Sequence, residues 1–220
     1  GLPRTPILAL TADAFADERF CRAVIAAIGA GRALATGTGS IRFVATRAFA
    51  ELAGADIAQL PVARPPAQSS NTIVMVDERL FLKGYRRIRK GVNPEFEVGR
   101  FLTEVAKFPQ CAPVAGAVEF VAADGSISTL ALLQAHIENQ GDGWAYLVGY
   151  LERHLEELRT PVAAAMPDDV HGAHLALMQT LGRRTAELHL ALGTRSGDAA
   201  FDPEPLATAD VVAWREQTQA

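Results

Sequence analysis

The sequence predicts an α+β fold: an antiparallel sheet made of two β-hairpins, one helix between them, and then a run of helices. Three observations carry that expectation. Two pairs of apolar stretches are each joined by a short polar turn, the mark of a hairpin. Between the pairs, Asn93-Pro94 places a capping side chain and a helix-starting proline in sequence. Beyond residue 139 the strand-like alternation gives way to helical spacing, and strands followed by helices indicate α+β layers or two lobes. With 49% hydrophobic and 21% charged residues, the chain sits among folded globular proteins rather than disordered ones.

Taken in order, Ala14 to Ala30 reads as an amphipathic helix, with Phe15, Phe20, Val24 and Ile28 at helical spacing and glycines at its end. Gly37-Thr38-Gly39-Ser40 reads as a turn feeding the strand Ile41 to Thr46. It is not a phosphate loop, because such a loop follows a strand and opens a helix, and Arg42 stands where the third glycine belongs. Ala63 to Ser70 contains Pro65 and Pro66 and reads as a boundary. The first hairpin joins Thr72 to Val76 with Leu80 to Tyr85 through Asp77-Glu78-Arg79. The helix opened by Pro94 follows, with Val98, Phe101, Leu102 and Val105 as its apolar stripe. The second hairpin turns at Asp124-Gly125 and sets Val118 to Ala122 against Ser128 to Ile137, which predicts a four-stranded sheet. Helices are expected over Trp144 to Leu158 and His171 to Leu192.

Charge and composition narrow the function. A net charge of -4 does not suit a general nucleic-acid or membrane-surface binder, since those partners attract a positive field. No stretch approaches the roughly 18 apolar residues of a membrane span, and no basic-then-apolar leader opens the sequence. The expectation is a cytoplasmic protein with no nucleic-acid or membrane partner. Cys21 and Cys111, far apart in sequence, read as reduced core thiols rather than a disulfide scaffold or a zinc site.

Lysine is scarce: only Lys83, Lys90 and Lys107 occur among 21 basic residues. Strand alternation puts Lys83 on one face with Phe81 and Tyr85, where an ammonium must snorkel or find an anion. The helix opened by Pro94 carries Glu95 and Glu97, and helical geometry leaves either able to serve as that anion. A strand lysine, a short loop and a helix glutamate form the arrangement with which protein kinases hold the α- and β-phosphates of ATP. Gln68-Ser69-Ser70-Asn71-Thr72, just before the first hairpin, is a small polar cluster whose hydroxyls and backbone donors suit phosphate oxygens.

Longer stretches bear on family. Ser70-Asn71-Thr72, Leu80-Phe81-Leu82-Lys83, Tyr85-Arg86-Arg87 and Gly91-Val92-Asn93-Pro94-Glu95-Phe96-Glu97-Val98-Gly99-Arg100-Phe101-Leu102 occur in that order. They are followed by Pro113-Val114-Ala115-Gly116-Ala117, Leu132-Leu133-Gln134, Asn139-Gln140-Gly141-Asp142-Gly143-Trp144 and Gly182-Arg183-Arg184-Thr185-Ala186-Glu187-Leu188-His189. This pattern, covering about Gln68 to Leu192, resembles the bacterial maltokinases, including those fused to trehalose synthase. The resemblance implies a kinase-like fold of the aminoglycoside-phosphotransferase type, with a cap or connecting region over 1–62, a nucleotide lobe over 63–138 and the start of a helical C-lobe over 139–220. It implies ATP and Mg2+, maltose as acceptor, and a covalently linked trehalose synthase domain as partner. On it, Ser69, Ser70, Asn71 and Thr72 cover the phosphates and Lys83 grips them. Glu97 rather than Glu95 holds the lysine. Gln134 and His136 belong to the strand beside adenine, and Asp142 to the lip of the nucleotide cleft.

One departure limits the expected activity. The family's His-Gly-Asp loop and its later Asp-Phe-Glu metal motif are missing: Ala173 replaces the aspartate in His171-Gly172-Ala173-His174, and Phe201-Asp202-Pro203-Glu204-Pro205 suits a linker. No catalytic residue and no metal ligand is therefore assigned, both being expected beyond Ala220, and the 220 residues read as a fragment inactive alone. His171 and His174 read as surface residues at a helix start, His189 as a partly buried helix residue, and Trp144 and Tyr150 as packing residues. Two rival readings stand beside this one: another small-molecule kinase of the same type, and a non-catalytic docking module of a trehalose synthase.

Overall fold

A seven-stranded, wholly antiparallel sheet organises the chain, in the order β1-β2-β6-β7-β5-β4-β3. The strands are β1 (Ala33–Thr36), β2 (Gly39–Ala45), β3 (Val62–Ala63), β4 (Thr72–Val76), β5 (Leu80–Gly84), β6 (Val114–Ala122) and β7 (Ile127–Ala135). The helices are α1 (Glu18–Gly29), α2 (Phe49–Ala53), α3 (Pro94–Glu104), α4 (Gly143–Arg159), α5 (Gly172–Leu192) and α6 (Thr208–Gln219). This computed structural model describes residues 14–54, 56–65, 70–159 and 170–219. The mixed α+β class expected from sequence is the class observed.

The two expected hairpins, β4–β5 and β6–β7, form the centre of the sheet. In the first turn, Asp77 and Glu78 both adopt positive φ, 51° and 52°, which matches the right-handed twist of the flanking strands. In the second, Gly125 takes φ 79° without steric cost, while Asp124 Oδ1 accepts from the Ser126 amide at 2.9 Å.

Three strands extend the expected four-stranded sheet, among them β2, which was expected as a strand but not in this sheet. β2 pairs with β6 from Gly39 opposite Ala122 to Ala45 opposite Gly116, and β3 pairs with β4 through Val62 and Val76. The segment before Val62, expected as a cap or connecting region, thus shares one sheet with the two central hairpins. It shares a core too. Asp17 caps α1 by accepting from the Arg19 amide at 2.8 Å, and Cys21, Val24, Ile25 and Ile28 then face the sheet. They meet Val74, Val76, Leu80, Leu82, Ala115 and Leu133 in the main core. Starting the helix at Glu18 moves the apolar stripe off Phe20, which is half-exposed, and leaves Phe15 to pack from a preceding 3-10 turn.

β6 is irregular, with register shifts between Val114 and Gly116 and between Val118 and Glu119. At Gly116 the irregularity brings three elements together, since a Cβ there would lie 2.4 Å from the Val44 carbonyl oxygen of β2 and 2.5 Å from Ile28 Cγ2 of α1.

α3 covers part of the opposite face, where Phe96 packs with Val114, Ala117 and Leu132 beside Val44 and Tyr85. Its buried residues are Phe96, Phe101 and Leu102, while Val105 falls just past its end and is exposed. α4 and α5 bury no residue, and the described part of α6 is exposed throughout. Trp144, read from sequence as a packing residue, is 77% exposed, and His189 is exposed as well, because no described element lies on their helix faces. Of the two free cysteines, Cys21 is core and Cys111 only partly covered.

Candidate functional site

Lys83 stands on the α3 side of the sheet, next to the first turn of that helix. Its position follows from strand parity: β5 buries Leu80, Leu82 and Gly84 toward α1, so Phe81 and Lys83 face the other way. Opposite them in β7 lie Gln134 and Leu132, which share their face. The Glu95 backbone is fixed by the helix cap, since Asn93 Oδ1 accepts from the amides of Glu95 and Phe96 at 2.9 and 3.2 Å.

Strand and helix meet in a three-residue cluster. Lys83 Nζ lies 2.8 Å from both carboxylate oxygens of Glu95, and the Tyr85 hydroxyl donates to Glu95 Oε2 at 2.7 Å. The ammonium also sits over the Tyr85 ring, 5.5 Å from its centre. Burial, and then the adjoining Glu95 carboxylate, push the Tyr85 phenol far above its ordinary value, so it stays a donor at neutral pH. With the lysine side chain 21% exposed and the glutamate 42%, the pair is accessible to an anion from solvent.

The lysine's partner is Glu95 and not Glu97, which corrects the assignment implied by the resemblance. Two positions along a helix amount to about 200° of rotation, so the two carboxylates cannot share a face. Glu97 lines a separate cavity of about 320 Å³ beside α3, with Arg100, Phe101, Glu104, Asp198 and Phe201. Phe201 stacks on Phe101 there, ring centres 3.9 Å apart. No sequence signal distinguished the two glutamates except that stripe geometry, which left Glu95 open.

The other predicted residues disperse. Ser69 lies outside the described residues, as does Gln68; Ser70 is exposed and Asn71 half-buried. Thr72 is buried opposite Gly84, on the α1 side of the sheet, and its hydroxyl accepts from Arg86 Nε at 3.1 Å. Alternation along β4 therefore turns Thr72 away from the Lys83 face, a second correction. The His136 ring folds back on the first hairpin turn, stacking on Phe81 with Nδ1 3.0 Å from the Glu78 carbonyl oxygen. The backbone donors of Ala135 and His136 are also engaged, by Pro113 and Arg79 carbonyls at 2.8 Å each, so neither is open to a base edge. Asp142 caps α4, accepting from the Ala145 amide at 2.7 Å. Gln134 remains on the lysine's face, half-buried and two positions from Leu132. Tyr85 was missed as a site residue, although its place two positions after Lys83 put it on the same face.

His171, exposed at the start of α5 as expected, is hydrogen-bonded to Tyr150 of α4, and His174, half-buried, stacks on Tyr150 with ring centres 4.3 Å apart. The described residues contain no group of three histidine, cysteine, aspartate or glutamate side chains able to hold a metal ion. No Mg2+ ligand is assigned among them. No described helix is long and apolar enough to cross a membrane.

A lysine on a central antiparallel strand, held by a glutamate from the helix packed beside it, belongs to a kinase-like α+β architecture. Solved structures of that kind match the chain. A glucosamine kinase in one crystal form gives a TM-score of 0.56 at 19% identity, covering 91% of this chain and 39% of that one. A glucosamine kinase in complex with glucosamine, ADP and inorganic phosphate gives 0.55 at 18% identity, covering 91% and 40%. A further crystal form gives 0.51 at 18%, covering 91% and 42%. The chain thus spans about two-fifths of the length of the structures it matches, and the likeness is one of fold. No protein-family model matches the sequence.

Proposed function

We infer that this chain carries the nucleotide-holding part of an ATP-dependent sugar kinase, with Lys83 as the ligand of the ATP phosphates. The observation that supports this most is the Lys83–Glu95 pair on a kinase-like sheet, its ammonium fixed yet accessible. Phosphoryl transfer rests on positioning and charge rather than on covalent help from the protein. In that scheme Glu95 holds the ammonium in place until phosphate oxygens arrive, and the cap at Asn93 keeps Glu95 in register. A solved neighbour that holds ADP and inorganic phosphate is consistent with ATP as the donor.

The acceptor on this reading is maltose, from the sequence resemblance, within a polypeptide that also carries a trehalose synthase domain. The likeness to glucosamine kinases favours a second reading, an amino sugar as acceptor. In either case we propose that transfer draws on residues beyond these 220. Two features support that: α4 and α5 bury none of their side chains, and the chain covers about two-fifths of the kinase structures it matches.

The test is ADP binding to the 220-residue chain by calorimetry, with Lys83→Met, Glu95→Gln and Glu97→Gln variants, alongside maltose and glucosamine assays with MgATP. Lys83→Met and Glu95→Gln should weaken ADP binding at least several-fold, with Glu97→Gln near wild type. Unchanged affinity in Lys83→Met would refute the phosphate role, and loss confined to Glu97→Gln would restore the other glutamate. Rapid turnover by the chain alone would refute the dependence on further residues.

A further inference from the structure

We propose that Tyr85 is a positioning residue that tunes how firmly Glu95 holds Lys83, and so how readily the lysine passes to a phosphate. This rests on the reading of Lys83 as a phosphate ligand. A lysine clamped by a carboxylate is a poor phosphate ligand unless that carboxylate can give it up. Both Glu95 oxygens lie 2.8 Å from Lys83 Nζ, and Oε2 also accepts from the Tyr85 hydroxyl at 2.7 Å. That third hydrogen bond draws charge from the carboxylate and lowers its hold on the ammonium. The Tyr85 ring, 5.5 Å from Nζ, offers the ammonium a second and weaker resting place beside its path.

The phenol is itself rigidly placed. Its ring packs against the cluster of Phe96, Val114, Ala117 and Leu132, and its backbone amide donates to the Leu130 carbonyl at 2.9 Å, continuing the ladder past the end of β5. A tyrosine that served only to fill space would need the ring but not the hydroxyl. Here the hydroxyl donates to the carboxylate that holds the lysine, with the Asn93 side chain also beside it.

Tyr85→Phe keeps the ring and removes the hydroxyl, so it separates the two contacts. Measured by calorimetry on the 220-residue chain with ADP, it should weaken binding roughly three- to ten-fold, the scale of one charge-assisted hydrogen bond in a half-exposed site. If Tyr85 acts through Glu95, its removal should add nothing in a Glu95→Gln background; a structural role would give additive losses. Lys83→Met distinguishes the failures. Should it leave ADP affinity unchanged, the phosphate reading falls. Should it weaken binding while Tyr85→Phe matches wild type, or while the double variant shows additive losses, the Tyr85 proposal falls and the phosphate reading stands.

A ligand-free arm decides the case if the chain binds no ADP. With three lysines present, the Lys83 ammonium resonance can be identified by its loss in Lys83→Met. Its hydrogen exchange should slow in Tyr85→Phe as Glu95 holds it more tightly. Exchange that is unchanged or faster overturns the proposal.

Discussion

Replacing Gly116 by alanine tests whether the N-terminal segment and the two central hairpins are one cooperative unit. The new methyl group would lie 2.4 Å from the Val44 carbonyl oxygen and 2.5 Å from Ile28 Cγ2, with Ala45 Cα at 3.4 Å. The first neighbour is backbone in a paired strand and the second is a fully buried side chain, so neither can yield without moving β2 or α1. Overpacking of a buried site costs about 1–3 kcal/mol, and a clash with backbone belongs at the upper end. For a chain of this size each kcal/mol shifts the midpoint by about 2–4 °C, so a loss of about 6–12 °C is expected. Calorimetry and circular dichroism at 222 nm would measure it, with Gly37→Ala as control, because a methyl group at Gly37 meets nothing within 4 Å. A wild-type midpoint in Gly116→Ala would refute the packing of α1 onto this irregular strand. A loss confined to one of two separate transitions would refute the single core.

Three further outcomes follow from local geometry. Asn93→Ala removes the cap of α3 and should cost about 1 kcal/mol in urea unfolding, while also weakening ADP binding because the Glu95 amide loses its acceptor. Gly182 lies inside α5 with open space at its Cβ, so Gly182→Ala should stabilise that helix by about 0.5–1 kcal/mol, seen as a stronger 222 nm signal. At Glu104, burial raises the carboxyl, but the Arg47 amide and the Arg100 guanidinium outweigh it and hold the group below its ordinary value of 4.5. A depressed carboxyl stabilises the fold above its unfolded value and loses that contribution as pH falls through the folded one. Below about pH 4.5, Glu104→Gln should therefore show a shallower acid loss than wild type, and an identical acid limb would contradict the pairing.

Elements with strong local signals were legible in the sequence. Asp124-Gly125 and Asn93-Pro94 mark their turn and helix start with residues whose backbone preferences admit few alternatives. β1 was not legible, since Ala-Leu-Ala-Thr has no polar alternation and its side chains are exposed in the sheet. β2 was visible as a strand, but its pairing to β6 was not, because register between distant strands leaves no local trace. At the site, alternation placed Lys83 correctly. It also placed Tyr85 on the lysine's face, though without a role, and it held the answer for Thr72, on the far face, had the parity been carried into the paired strand. The choice between Glu95 and Glu97 turned on helix rotation relative to the strand, which depends on how Phe96 seats in its cluster.

The junction of β2 with β6 has a consequence for biosynthesis. Arg42 and Glu119, ion-paired across it, are separated by 77 positions. As the chain leaves the ribosome, α1 and the β1–β2 hairpin emerge long before the strands they will lie against. Until β6 is made, α1 lacks the part of its cover that Ala115 and Val118 supply, and the β2 edge stays open to any passing strand. Pairings so distant also make assembly slow. A nascent chain stalled before residue 114 is therefore the species on which a chaperone would have the most surface to hold.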